Sequence, residues 1–139
     1  MIPDTVISQL NCPDYYPFAQ TFILLPDPGN DTLFYSVMSG LRYQDNVGFS
    51  SYGLYFSHLS EHEVLEKNVQ LFPYEIFSGH LAACRHANGR DWWLVVNKLA
   101  SNEYYKYLID PGGVQGPFVQ KIGNISSRIS NGTGQAVFS

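Results

Sequence analysis

Two stretches of the chain, sixty residues apart, carry the same turn. Pro28-Gly29-Asn30-Asp31-Thr32-Leu33-Phe34-Tyr35-Ser36-Val37 reads like Asn88-Gly89-Arg90-Asp91-Trp92-Trp93-Leu94-Val95-Val96, with Gly29 on Gly89 and Asp31 on Asp91. An apolar run precedes each turn, Thr21 to Leu25 in the first and Leu81 to Ala87 in the second. Further along, Gly53-Leu54-Tyr55-Phe56-Ser57-His58-Leu59 reads like Glu103-Tyr104-Tyr105-Lys106-Tyr107-Leu108-Ile109. The second match is offset by fifty residues, so the first unit holds ten extra. They fall between Ser39 and Tyr52, where Gly, Ser, Asn and Gln predict a loop. A third copy opens at Gly134-Gln135-Ala136-Val137-Phe138.

Each unit divides into four short strands at its turn residues. The first unit predicts strands near 21–26, 32–38, 53–59 and 66–72, and the second near 81–87, 91–98, 103–109 and 117–122. Asn88-Gly89 predicts a two-residue hairpin loop, because both positions tolerate positive φ. Asp110-Pro111-Gly112-Gly113 predicts another turn, with Pro presetting φ and Gly accepting φ > 0. A four-stranded antiparallel unit cannot bury both faces alone, so such units stack on neighbours. The expected fold is all-β: propeller-like blades of four antiparallel strands, two full blades with partial strands at the flanks. The expected division is a loop or the end of a preceding blade over 1–16, a blade over 17–77, a second over 78–126, and the start of another over 127–139.

Composition supports that class and excludes others. Aromatic residues make up 15% of the 139 residues and charged residues 14%, with twelve Gly and eight Pro. An average globular protein is about 25% charged. The net charge of −4 and the scattered Lys and Arg argue against nucleic acid, which needs a basic stripe. No apolar run approaches the ~20 residues of a membrane-spanning helix. Met1-Ile2-Pro3-Asp4 lacks the basic and apolar regions of an export signal. Cys12 and Cys84 stand far apart and form no thiol pair for zinc; they read as small buried residues or, in an exported protein, one disulfide. The sequons at Asn30, Asn124 and Asn131 are read as markers of surface turns.

The run His86-Ala87-Asn88-Gly89-Arg90-Asp91-Trp92-Trp93 closely resembles a signature of a β-propeller region in secreted bacterial proteins of the gliding-motility and type IX secretion group. Its surroundings are similar too. Phe22 to Tyr35 resembles the first hairpin of a preceding blade. Gly53-Leu54-Tyr55-Phe56-Ser57 and Glu66-Lys67-Asn68-Val69 resemble its outer strands. Tyr104 to Leu108, followed by Asp110-Pro111-Gly112-Gly113-Val114, continues the signature blade. The resemblance implies an extracellular or cell-surface, multi-bladed propeller within a longer chain, often with a C-terminal sorting domain. This sequence is too short for a closed ring and ends at Phe138-Ser139 without that domain, so we expect a piece of such a chain.

The candidate binding or structural residues lie in the signature hairpin: Arg85, His86, Asn88, Gly89, Arg90, Asp91, Trp92 and Trp93. With Asn88-Gly89 as the loop, His86 opposes Asp91, Arg85 opposes Trp92 and Cys84 opposes Trp93. A His86–Asp91 hydrogen bond and an Arg85 guanidinium over the Trp92 ring would lock the hairpin. Tyr15-Tyr16, Tyr104-Tyr105-Tyr107 and Trp92-Trp93 offer aromatic surface for a sugar, but strand alternation assigns half of them to packing.

Catalytic patterns are weak. His58-Leu59-Ser60-Glu61-His62 matches the H-x-x-E-H order of some zinc peptidases. That chemistry needs a helix, whereas Leu54-Tyr55-Phe56 reads as strand and Ser60 to Glu63 as turn, which leaves His58 and His62 at the surface. No compact acidic loop suits calcium, and no glycine-rich loop suits a phosphate or dinucleotide, so no metal or cofactor is expected. The expected function is a non-enzymatic propeller segment for scaffolding or for recognition of a protein or glycan. Its other expected partners are further blades of the same chain. The alternative is part of a propeller-type hydrolase or lactonase whose active site other blades complete.

Overall fold

The computed structural model of the chain describes residues 22–44, 48–125 and 138. It is all-β. Seven strands follow in order: β1 (Phe22–Asp27), β2 (Asn30–Gln44), β3 (Gly48–Ser60), β4 (Val64–Arg85), β5 (Trp92–Lys98), β6 (Glu103–Asp110) and β7 (Gly113–Lys121). Each pairs antiparallel with the next, so the hydrogen-bonded order is the chain order. β4 belongs to two ladders. Its first part pairs with β3 and its last part with β5, and Phe77 takes part in both, opposite Ser51 and opposite Lys98. The result is two four-stranded antiparallel sheets, β1 to β4 and β4 to β7, joined through one long strand. β1 and β7 are edges among the described residues.

Side-chain alternation explains the packing. On β6, Tyr105, Tyr107 and Ile109 are buried while their neighbours are half-exposed. On β5, Leu94 and Val96 are buried and face Tyr107 and Tyr105. On the first sheet Leu25, Tyr35, Val37, Leu54 and Phe56 are buried. These residues of both sheets form a single apolar cluster. One face of each sheet is therefore used against the other, which satisfies the requirement that a sheet bury one face.

The long connections differ from expectation. The loop expected between Ser39 and Tyr52 is instead ladder: Leu41 pairs with Ser51 and Gln44 with Gly48. Polar residues marked an extended hairpin end rather than a loop. The strands expected at 66–72 and 81–87 are one continuous β4. The expected segment at 1–16, Cys12, Tyr15-Tyr16, the sequon at Asn131 and, apart from Phe138, the expected segment at 127–139 with the third repeat copy lie outside the described residues.

Glycine sets two local geometries. At Gly116 of β7, φ is +126° and a Cβ would lie 2.8 Å from the Lys106 carbonyl oxygen. The β6–β7 register shifts between Lys106 and Leu108 at this point. Only glycine fits so tight a bulge. At the β1–β2 turn, a Cβ on Gly29 would lie 3.1 Å from the Cβ of Pro111, so the first-sheet turn closely approaches the β6–β7 turn.

Candidate functional site

The signature hairpin joins β4 to β5. Arg85 pairs with Trp92 and Cys84 with Trp93, as the sequence predicts. The loop is longer than the expected two residues. Gly89 N donates to His86 O at 2.9 Å and His86 N donates to Asp91 O at 2.8 Å, which leaves four residues between them. Gly89 has φ of +73°, but Asn88 does not have positive φ. A turn centred on Ala87 and Asn88, completed by a left-handed Gly89, replaces the mirror-image two-residue turn.

Side chains knit this loop together. Asn88 Oδ1 accepts from Arg90 N at 3.0 Å and Asp91 N at 3.1 Å, and Asn88 Nδ2 donates to Asp91 Oδ2 at 2.6 Å. Arg90 Nε donates to Asp91 Oδ1 at 2.7 Å and its Nη2 to Oδ2 at 3.3 Å. The Asp91 carboxylate is thus held by Arg90 and Asn88, not by His86. His86 Nδ1 instead accepts from Asn88 N at 3.2 Å, so its lone pair is spent within the loop. The expected His86–Asp91 side-chain lock is corrected: the longer loop brings Asn88 and Arg90 to the carboxylate first. The Arg90 hydrogen bond, then that of Asn88, holds the Asp91 carboxyl below the usual carboxylate range.

Arg85 is fixed in two ways. Its guanidinium carbon lies 4.5 Å from the Trp92 ring centroid, as expected, and Nη1 donates to Gly89 O at 2.7 Å. Such a cation–π contact contributes about 0.5–2 kcal/mol. Trp92 Nε1 donates to Pro26 O at 3.0 Å, across 66 residues of sequence. This bond ties the second-sheet hairpin to the first-sheet turn. Trp93 faces the other way, with His86, Phe118 and Lys106 around its ring.

The first sheet contributes a pair the sequence reading missed. His58 Nε2 and Asp27 Oδ2 lie 2.8 Å apart, with the two side chains only 16% and 8% exposed. The His58 ring stacks on Tyr35 at 4.4 Å, and Asp27 Oδ1 accepts from Gly29 N at 2.7 Å. The expectation that His58 lies at the surface is therefore corrected. Leu25 opposes Tyr35 and Tyr35 opposes His58, so alternation carries the imidazole onto the core face. That register was the signal available in the sequence. His62 is exposed, and its backbone N donates to Ser60 Oγ. The H-x-x-E-H stretch spans the end of β3 and a turn, and no metal-binding group occurs among the described residues.

The two hairpin ends face each other across a cleft of about 590 Å³. Asp27 and Asp31 lie on the first-sheet side, with Pro26 and Pro28; Arg85, Arg90 and Trp92 lie on the second. Arg85, Gly89, Arg90 and Trp92 of the eight expected residues line it. His86, Asn88 and Asp91 shape the loop from behind, and Trp93 lies on the opposite sheet face. The arrangement offers hydrogen-bond donors on one wall and acceptors on the other. No protein-family model, curated protein or solved structure matches the chain.

Proposed function

We propose that this chain is a non-enzymatic segment of a secreted or cell-surface bacterial protein, two blades of a β-propeller, that recognises a glycan or protein through its hairpin ends. The observation that carries the reading is the Trp92–Pro26 hydrogen bond, which joins two hairpins from different sheets into one cleft. Ligand sites form where loops from a rigid scaffold converge. The polar side chains at the second-sheet wall are committed to one another and to the loop backbone, which suits a rigid binding surface. Further blades would cover the outer sheet faces.

A propeller-type hydrolase, with its site completed by further blades, is the second reading. The Asp27–His58 pair beside the cleft is the observation that favours it, since a carboxylate-oriented imidazole is a common general base. One experiment separates the two. The protein is incubated with purified cell-surface glycans and proteins, and both retention and product formation are followed. Retention without products supports recognition. Turnover abolished by His58→Gln, or by substitution of His86 or Asp91, overturns it.

A further inference from the structure

We infer that the cleft between the β1–β2 turn and the β4–β5 loop takes a short, uncharged saccharide; the inference rests on the recognition role proposed above and names its ligand class. The two walls of the cleft differ in hydrogen-bonding sense. The Arg85 and Arg90 guanidinium groups on one wall only donate, and the Asp27 and Asp31 carboxylates on the other accept. An occupant spanning both walls must accept on one side and donate on the other. A hydroxyl does both with one oxygen, and vicinal hydroxyls do so repeatedly.

Charge selects a neutral ligand. Two guanidinium groups and two carboxylates line the same cleft, so an anion drawn to one wall is repelled by the other. Asp27 is hydrogen-bonded to the His58 imidazole, and Arg90 is ion-paired with Asp91. Of the four, Arg85 and the exposed Asp31 have no side-chain hydrogen-bond or ion-pair partner among the described residues. They are opposite in sign.

Preorganisation and shape point the same way. Arg85 is held by Trp92 and Gly89, Arg90 by Asp91, and Asp27 by His58 and Gly29, so little side-chain freedom remains to be lost on binding. The Pro26 and Pro28 rings add apolar lining for the C–H face of a sugar. The volume lies within the ~300–1,000 Å³ of small-ligand sites. An extended peptide is a poorer occupant, because the β1 edge bordering the cleft there carries Pro26, which has no N–H to pair with an added strand and whose carbonyl already accepts from Trp92.

The test is calorimetry of the protein with cellotetraose, xylotetraose, maltotetraose and chitotetraose, with tetragalacturonate as the charged comparison. Amide chemical shifts locate the site. The expected result is a dissociation constant on the order of 1 mM or tighter for at least one neutral tetrasaccharide, with shifts centred on Asp31, Arg85 and Gly89. Asp31→Ala and Arg85→Gln each weaken it by about tenfold or more, while thermal unfolding shows Asp31→Ala still folded. No neutral saccharide binding, binding unaffected by Asp31→Ala, or a preference for tetragalacturonate overturns the inference. A purified surface protein that binds at the hairpin ends while no saccharide does overturns it too, yet leaves the recognition role standing. A bound saccharide that is also cleaved supports the cleft assignment and overturns the non-enzymatic reading instead.

Discussion

Asp91 is 5% exposed and accepts three side-chain hydrogen bonds, two from Arg90 and one from Asn88. These hold its carboxyl below the usual range. The unfolded chain therefore takes up the proton at higher pH than the folded one. The stabilisation is fully present above the unfolded carboxylate pKa of about 4 and is lost as pH falls through the lower folded value. Asp91→Asn is expected to lower the urea midpoint at pH 7, and the gap to the parent should narrow as pH falls below about 4. A gap that is constant with pH would assign the loss to shape rather than charge.

Tyr107 presents the opposite case. It is 1% exposed, and its hydroxyl has no hydrogen-bond partner among the described residues. Burial first, then Tyr105, pushes that hydroxyl above the usual tyrosine range. A buried hydroxyl without a partner costs about 1–3 kcal/mol. Tyr107→Phe keeps the ring and removes the cost. Urea denaturation is expected to show a gain of about 1 kcal/mol, and a clear loss would reveal a partner.

At the scale of elements, strand alternation was the most legible signal. β5 and β6 stand where the sequence places them, because Trp92-Trp93-Leu94-Val95-Val96 and Tyr104 to Ile109 carry uninterrupted bulky residues. β4 was not legible as one strand. Pro73 lacks an N–H and reads as a break. It falls where the β3–β4 register skips from Phe72 to Ile76, so the missing donor interrupts no paired position. The hairpin loop was legible in its pairing but not in its interior. Cross-strand neighbours follow from counting, whereas the competition of Asn88, Arg90 and His86 for Asp91 depends on loop length. His58 was hidden for a related reason, since its partner Asp27 lies two strands away. Gly116 gives the sharpest element-level test. Gly116→Ala forces a Cβ against a backbone carbonyl at a φ that L-residues rarely adopt. A loss of about 1–3 kcal/mol is expected in urea denaturation, and a neutral effect would contradict the bulge.

At the scale of the molecule, residues of the two sheets share one core, while large apolar side chains also stand exposed on the edge strands. Leu24 of β1 is 49% and Phe118 of β7 46% exposed. Exposed apolar strands at sheet edges invite pairing. The 139-residue chain is therefore expected to associate with rising concentration in light scattering. Leu24→Lys with Phe118→Lys should suppress that association. A chain that stays monomeric at every concentration would show that these edge strands need no partner.

The cleft exists only if the two sheets fold as one body, and this is tested most directly through the tryptophans. Trp92 and Trp93 are the protein's two tryptophans, and both belong to β5 of the second sheet. Leu54 belongs to β3 of the first sheet and is fully buried in the shared core. The measurement is urea unfolding of Leu54→Ala followed by tryptophan fluorescence. A single core predicts that a cavity in the first sheet lowers the second-sheet transition by about 2–5 kcal/mol. An unchanged fluorescence transition would show that the sheets unfold separately and would contradict the account.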